Sequence, residues 1–132
     1  MITLPNKSDP GGRVSFLEHG KKILPFDFKR VFWITNVYNS SIRGRHAHKQ
    51  CEQFLVAVNG RCKIHSIDQS GKKTFHNLVS PTCGLYVPPM QWIALTDFSR
   101  DTVIMVLASH EYKEDDYIRD PEEFGLPNED PS

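Results

Sequence analysis

The feature that most constrains this fold is the regular spacing of short apolar runs between turn-forming residues. Runs rich in Val, Ile, Phe and Leu alternate with turn signals that draw on 9 Pro and 8 Gly, and no segment sustains a helical period. This alternation of short apolar runs and turn residues is typical of an all-β chain. The strands it predicts are Arg13–Glu18, Arg30–Thr35, Gln53–Val58, Arg61–Asp68, Lys73–Val79, Gly84–Val87, Trp92–Thr96 and Thr102–Ala108.

Two turn signals are sharp enough to predict a local structure. Asn59-Gly60 stands between two apolar runs, and this dipeptide favours a tight type I′ hairpin because both turn positions need positive φ. Asp68-Gln-Ser-Gly71 predicts a second, longer turn of the same kind. Strands at this spacing, with no long loop between them, predict a closed barrel or jelly roll whose mouth is a natural place for a small-molecule site.

The ends of the chain add little regular structure. Glu111–Phe124 is the best candidate for a helix, and Pro121 limits any helix there to a turn or two. The Pro-rich and acidic tail, residues 125–132, is expected to fray. With 132 residues, the chain is predicted to form one domain over 1–132, with its core at about 13–124.

Composition argues against several classes of partner. Lys and Arg number 16 and balance 16 Asp and Glu, so nothing suggests a nucleic-acid backbone as ligand. The apolar runs are far too short to span a membrane, and the start of the chain lacks the apolar core of a secretory signal. We therefore expect a cytoplasmic protein without a disulfide, in which Cys62 is a small buried hydrophobe.

The residues most able to do chemistry lie between Ser41 and Gln53. Alternate side chains of an extended chain share a face, so His46 and His48 should point the same way. Two such imidazoles could exchange protons at neutral pH, or could bind a metal together with Glu52. They could also be plain surface residues of a strand, since Arg45 and Lys49 are their neighbours.

The metal interpretation weakens further along the chain. His46 and His48 with Glu52 resemble the first motif of metal-binding cupins, which normally supply another histidine from a later strand, after a Gly- and Pro-rich turn. Here that turn, residues 84–92, contains no histidine, and His110 lies past the last apolar run. We therefore predict no tightly bound metal.

The same segment carries a resemblance to a known family. Arg43–His48 followed by Glu52-Gln53 resembles the RG-x-HAH-x₃-EQ signature of the sugar 3,4-ketoisomerases, the WxcM-like cupins. Further blocks agree with that family in order, and the likeness runs from about Arg13 to Phe124. These blocks are Lys29–Ile34, Gly84–Pro88 with Trp92, and Asp97–Ser99 leading through Val106–Ser109 to Asp116–Arg119.

The resemblance implies a fold and an activity. The fold would be a small single-domain cupin (RmlC-like) jelly-roll β-barrel. The activity would be a cofactor-free isomerisation of a dTDP-4-oxo-6-deoxyglucose to a dTDP-3-oxo-6-deoxyhexose, which serves deoxysugar biosynthesis for surface polysaccharide. His46 inherits the role of the base that removes the C3 proton, and His48 that of its partner. The implied substrate-binding residues are Arg13, Trp33, Arg43, Tyr86 and Arg119.

The resemblance also leaves points open. Family members with isomerase activity often carry tyrosine where this chain has Phe32, so a hydroxyl that could carry a proton is missing. Related proteins form dimers with exchanged N-terminal strands, and a homodimer is expected here by resemblance. The competing functions are a 3,5-epimerase, whose usual His–Asp pair and catalytic tyrosine are not evident in the sequence, and a non-catalytic sugar-nucleotide-binding cupin.

Overall fold

The computed structural model describes residues 1–38 and 40–126, and its regular structure is almost entirely β. A 3-10 helix covers Glu114–Asp116, and one short helix, α1, covers Pro121–Phe124. The strands are β1 Ile2–Thr3, β2 Asn6–Asp9, β3 Gly12–Ser15, β4 Arg30–Ile34, β5 Arg43–His48, β6 Gln53–Asn59, β7 Cys62–Ile67, β8 Lys73–Leu78, β9 Cys83–Val87, β10 Trp92–Thr96, β11 Val103–Ala108 and β12 Tyr117–Ile118.

The strands form two five-stranded antiparallel sheets and a separate hairpin. The first sheet has the order β1-β9-β6-β11-β4, and the second has the order β12-β5-β10-β7-β8. Within the described part of the chain no strand pairing joins the two sheets, so they form a jelly-roll sandwich rather than a barrel closed by hydrogen bonds. The predicted all-β cupin fold is confirmed in this open form.

Three apolar clusters hold the layers together. The largest fills the space between the sheets and is built from alternate residues of both, as the period of a strand requires; among its members are Leu55, Ile64, Leu78, Ile93, Leu95, Ile104 and Val106. A second cluster packs the N-terminal segment on the outer face of the first sheet, around Phe54 and Leu107. The third packs α1 on the outer face of the second sheet, against Trp92.

The predicted strands agree with the observed ones to within a few residues. Trp92–Thr96 is matched at both ends, and the Asp68–Gly71 turn joins β7 to β8, which pair as a hairpin. Cys62 is buried between the sheets, and this burial raises the pKa of its thiol to about 12. The helix near the end of the chain is only one turn long: α1 begins at Pro121 and ends before Gly125, which has a left-handed conformation. Of the predicted frayed tail, residues 127–132 lie outside the described residues.

The predicted hairpin at Asn59-Gly60 is wrong. Strands β6 and β7 belong to different sheets, so the chain crosses from one sheet to the other at this point. Gly60 has φ of +72°, but Asn59 is not among the residues with positive φ, which a type I′ turn requires. The turn is held by the loop before β11 instead: the Asn59 side-chain amide donates to the Asp101 carbonyl, and the Arg61 amide donates to the Ser99 hydroxyl.

The N-terminal hairpin stands apart from both sheets. Strands β2 and β3 pair only with each other among the described strands, and their residues are mostly exposed, including Val14. The sequence placed one strand here, at Arg13–Glu18, and missed β1 and β2. No helix among the described residues is long and apolar enough to cross a membrane.

Candidate active site

A cavity of about 650 Å³ opens between the two sheets. Its inner wall is apolar and belongs to the core, with Phe32, Leu55 and Val106 from the first sheet and Ile93 and Leu95 from the second. Polar side chains line much of the rest of the cavity. Prominent among them are Arg43, His46, Gln53, Tyr117 and Arg119.

A bulge in β5 brings Arg43 and His46 to the same cavity. These residues are three apart and would lie on opposite faces of a regular strand. The pairing with β10 shifts between Ile93 and Ala94, which oppose His46 and Gly44, so Arg45 is the extra residue of the bulge. Gly44 and Arg45 have φ of +86° and +59°, and a Cβ on Gly44 would lie 3.0 Å from the Ile93 carbonyl oxygen. The glycine of the motif therefore shapes the site.

Both histidines of the triplet lie on one face of β5, as the sequence predicted, and that face points inward, although the two rings lie at different depths. His46 is partly exposed and lines the cavity, whereas His48 is only 5% exposed and lies further inside. Their ring centroids are 5.1 Å apart. Strand β12 pairs with β5 so that Tyr117 opposes His48, and the Tyr117 ring lies 5.1 Å from His46 and 4.3 Å from His48. Two imidazoles and one phenol thus form a single aromatic cluster.

Burial decides the charge of the two imidazoles. Desolvation, followed by the neighbouring His48, lowers the pKa of His46 to about 4. Desolvation also lowers the pKa of His48, although a hydrogen bond to Asp116 opposes this effect. Both rings are therefore neutral at neutral pH, which is the form that can accept a proton.

Asp116 fixes the back of this cluster. Its Oδ2 lies 3.1 Å from His48 Nδ1 and accepts the Cys51 amide, and its Oδ1 accepts the Gln50 amide. His48, Cys51 and Asp116 are the residues of the described chain whose ligand atoms lie close enough together to hold a metal. Because both Asp116 oxygens already accept amide hydrogens, the arrangement is that of a hydrogen-bond network.

Two arginines border the open side of the cavity. Arg43 is exposed, and the Arg119 guanidinium lies 4.2 Å above the Tyr117 ring. Arg119 donates two hydrogen bonds to Glu114, of 2.7 and 3.0 Å, and the Tyr112 hydroxyl also donates to Glu114. These bonds, that of Arg119 first, lower the pKa of Glu114 to about 2. An anion at Arg119 would have to compete with this carboxylate.

The remaining residues that the sequence singled out are more scattered. Trp33 is 63% exposed and lies at the rim of the cavity, although its cross-strand partner Met105 packs on the outer face of the first sheet. Tyr86 does not line the cavity. It opposes Phe54 on that outer face, and its hydroxyl donates to Glu52 at 2.5 Å. Burial, followed by this hydrogen bond, raises the pKa of Tyr86 to about 12.

Arg13 is also separate from the histidines within one chain. It lies on β3, in the exposed hairpin, and lines a different cavity of about 450 Å³ with Leu4, Val56 and Leu107. That cavity lies on the outer face of the first sheet. The structure therefore brings together His46, His48, Arg43, Trp33 and Arg119, and leaves Tyr86 and Arg13 elsewhere.

Neither Asp116 nor Tyr117 was assigned a role from the sequence, although both belong to one of the blocks that carried the resemblance. The signal was their position three and two residues before Arg119 in a segment of strand period. A His–Asp pair and a cavity tyrosine, both judged not evident in the sequence, are thus present in the fold.

Comparison with known proteins agrees with this geometry. Residues 1–127 match the family model described as "FdtA: WxcM-like, C-terminal". The TDP-4-oxo-6-deoxy-alpha-D-glucose-3,4-oxoisomerase of Aneurinibacillus thermoaerophilus is 44% identical over 116 residues, which are 88% of this chain and 82% of that protein.

Solved structures of similar proteins extend the comparison. A mutant of the 3,4-ketoisomerase QdtA from Thermoanaerobacterium thermosaccharolyticum, in complex with TDP-4-keto-6-deoxyglucose, superimposes with a TM-score of 0.88 at 36% identity, covering 93% of this chain and 88% of that one. The WlaRB TDP-quinovose 3,4-ketoisomerase from Campylobacter jejuni gives a TM-score of 0.87 at 35% identity, covering 93% of each chain.

Proposed function

This chain belongs to the FdtA family of WxcM-like proteins, and from that membership we propose that it is a sugar-nucleotide 3,4-ketoisomerase. Its substrate is a dTDP-linked 4-oxo-6-deoxyglucose and its product the 3-oxo isomer, for use in deoxysugar biosynthesis. The observation that carries the proposal is a cavity with an apolar inner wall, in which His46 and Tyr117 lie together and two arginines border the open side. A relative at 44% identity bears the name of this activity.

The isomerisation moves hydrogens without a net loss of electrons. The C4 carbonyl acidifies the C3–H bond, a base takes that proton, and the C4 oxygen gains one, which gives a 3,4-enediol. C4 then takes a proton at carbon while the C3 hydroxyl loses one, which leaves the carbonyl at C3. Two proton carriers are therefore needed, one at carbon and one at oxygen.

His46 is the base at carbon. It is the imidazole that lines the cavity, and its ring is neutral because burial depresses its pKa. His48 assists His46 and does not itself remove the C3 proton. Its side chain is on the same face of β5 as that of His46 but is almost fully buried. Two rings on one strand cannot occupy the same position relative to one carbon atom.

Tyr117 supplies the hydroxyl that Phe32 lacks. Phe32 lines the cavity, and its benzyl side chain cannot carry a proton. Tyr117 lines the same cavity from β12, and its ring contacts both imidazoles. Its phenol is thus the second carrier, which moves a proton between the sugar oxygens.

The diphosphate binds at Arg43 and Arg119. An arginine donates two parallel hydrogen bonds to phosphate oxygens, and a charge-assisted bond of this kind is worth about 1.5–3 kcal/mol. Both arginines border the cavity that holds His46, and Trp33 lies at its rim.

Arg13 acts on the substrate of a second copy of the chain. Its hairpin, β2–β3, pairs with no other described strand, and Arg13 is exposed far from the cavity of its own subunit. A homodimer with exchanged N-terminal strands would explain both facts. Tyr86 would then contribute indirectly, through its bond to Glu52. The cytoplasmic location stays a prediction.

Mixing two inactive variants tests the exchange of strands. Arg13→Ala and His46→Asn subunits are unfolded together and refolded, so that mixed dimers form. If Arg13 acts across the dimer, one site of each mixed dimer keeps both residues and activity returns. If Arg13 acts within its own subunit, every site lacks one residue and the mixture stays inactive.

The activity itself is tested by incubating the protein with dTDP-4-oxo-6-deoxyglucose in D₂O and recording NMR spectra, with and without a chelator. We expect deuterium exchange at C3, a 3-oxo product and no effect of the chelator. Exchange at both C3 and C5 would identify an epimerase instead. Tight binding without exchange would identify a binding protein, and either result would overturn the proposal.

A further inference from the structure

The carboxylate of Asp116, which is itself partly exposed, contacts the buried imidazole of His48. The distance between Asp116 Oδ2 and His48 Nδ1 is 3.1 Å, and His48 is only 5% exposed. The two residues are 68 positions apart in the chain, and the pairing of β12 with β5 brings them together. The roles proposed above do not use this contact.

The contact determines which nitrogen of His48 carries the hydrogen. An ionised carboxylate is only an acceptor, so Nδ1 must be the donor. In the neutral ring Nε2 then keeps its lone pair. Nε2 is buried and has no hydrogen-bond partner among the described residues, and it is therefore an unused proton acceptor inside the site.

The Asp116 carboxylate is itself held rigidly. The Gln50 amide donates to Oδ1 at 2.8 Å, and the Cys51 amide donates to Oδ2 at 3.2 Å. The Lys49 amide donates to the Asp116 carbonyl oxygen at 2.8 Å. The backbone of the turn that follows β5 thus holds Asp116 in place through hydrogen bonds, and Asp116 in turn fixes the orientation of the His48 ring.

We propose that Asp116 is a positioning residue that holds His48 in the tautomer with hydrogen on Nδ1, so that His48 takes up and returns a proton through Nε2 during the isomerisation. This inference rests on the proposed function. In each turnover Nε2 takes the proton that the C3 hydroxyl releases and passes it to Tyr117, which has given its own proton to the C4 oxygen. The Nδ1 hydrogen stays between the ring and Asp116, so that the imidazole ends each turnover unchanged.

The surroundings of His48 make such a partner necessary. The His46 and Tyr117 rings pack against the imidazole. Desolvation, and after it the positive charges of Arg30 and Arg119, opposes a positive charge on this imidazole. Asp116 is the acidic group that counters them, through a hydrogen bond and through its charge. Without it, the imidazolium form would be too costly to serve as an intermediate.

Asp116→Asn is the discriminating substitution. The asparagine oxygen can still accept an amide hydrogen from the turn, but its NH₂ group would donate to His48 Nδ1 and move the ring hydrogen to Nε2. Asp115→Asn is the matched control, because Asp115 is the neighbouring exposed carboxylate. Asp116→Glu keeps a carboxylate and should restore part of any lost activity.

The test is long-range ¹H–¹⁵N NMR on the full chain with ¹⁵N-labelled histidine, combined with kinetics. We expect hydrogen on Nδ1 of His48 in the wild type and in Asp115→Asn, and on Nε2 in Asp116→Asn. In Asp116→Asn kcat should fall at least ~10²-fold with KM within about threefold, and the pKa of His48 should fall further.

Two results would overturn the inference. One is hydrogen on Nε2 of His48 in the wild type. The other is an Asp116→Asn variant that loses thermal stability but keeps the wild-type tautomer and kcat, as a purely structural role predicts. If Asp116→Asn does not fold, the wild-type tautomer and the Asp116→Glu kinetics decide. If the wild type does not isomerise the sugar, the proposed function fails, whereas the tautomer still decides whether Asp116 positions His48.

Discussion

The cavity draws Arg43, His46 and Tyr117 from two neighbouring strands of the second sheet, β5 and β12, which are built in very different ways. The β5 wall is a six-residue strand inside the sheet, which presents Arg43, His46 and His48 through a bulge. The β12 wall is a strand of two residues at the sheet edge, flanked by a 3-10 helix. The first wall carries the imidazoles. The second carries Tyr117, whose ring packs against both imidazoles, and follows Asp116, whose carboxylate bonds to His48. A motif on one strand is therefore not by itself a complete site.

The largest effect should follow from the β5 wall. His46→Asn keeps the size of the side chain but removes the basic nitrogen, so C3 exchange in D₂O should fall by ~10²-fold or more. His19→Asn is the control, because His19 is exposed and remote from the cavity. Exchange at the wild-type rate in a folded His46→Asn variant would remove His46 from the role of base.

The second effect tests the β12 wall. Tyr117→Phe should lower kcat by about 10- to 100-fold and leave KM nearly unchanged, because the ring stays and only the proton carrier is lost. C3 exchange should fall less than formation of the 3-oxo product. Tyr112→Phe is the control, since the Tyr112 ring packs against the Tyr117 ring at a centroid distance of 5.6 Å but does not line the cavity. A wild-type kcat for Tyr117→Phe would show that water or His48 suffices.

A smaller effect is expected on KM, when the arginines Arg43 and Arg119 are each replaced. Arg43→Ala should raise KM by about tenfold or more. Arg119→Ala should raise KM less, because Arg119 must first release Glu114. Glu114→Gln should accordingly lower KM. Arg100→Ala should leave KM unchanged, because Arg100 is exposed and does not line the cavity. Equal KM values for both arginine variants and the wild type would place the nucleotide elsewhere.

The smallest effect concerns stability. The pKa of His46 is about 4 in the folded protein and 6.5 in a free side chain, so the unfolded chain binds more protons between these pH values. The free energy of unfolding should therefore fall as pH drops from 6.5 towards 4, by at most about 3 kcal/mol from this group. Urea unfolding at pH 4.5 and at pH 7 should show that the free energy of unfolding changes less between these pH values in His46→Asn than in the wild type. An identical change in both proteins would mean that His46 is not desolvated in the fold.

The same contrast explains what the sequence could predict. Strands β4 and β6 to β11 were predicted because their apolar residues follow the period of a strand, whereas β5, which is nearly free of apolar residues, was missing from the predicted strands. His46, His48 and Arg43 were singled out because they form one local motif. The hairpin at Asn59-Gly60 failed because local turn chemistry does not say which sheet the next strand joins. A Cβ on Gly60 would also lie 2.6 Å from the Thr102 hydroxyl and 2.7 Å from the Ser99 hydroxyl, and both residues are distant in sequence.

The missing parts of the site have a common cause. Asp116 and Tyr117 acquire their roles only when β12 pairs with β5, and a strand of two residues leaves almost no periodic signal. Tyr86 shows the reverse case. Its apolar surroundings in the sequence suit either face of β9, and the structure places it on the outer face, opposite Phe54.

A crystal structure of the His46→Asn variant with the bound dTDP-4-oxo sugar tests the central claim most directly, because the substrate should persist where the base is missing. The account predicts that the sugar lies in the cavity between the sheets, with C3 beside residue 46, an oxygen near the Tyr117 hydroxyl, and the diphosphate at Arg43 and Arg119. A nucleotide sugar bound on the outer face of the first sheet, next to Tyr86 and away from β5, would contradict it.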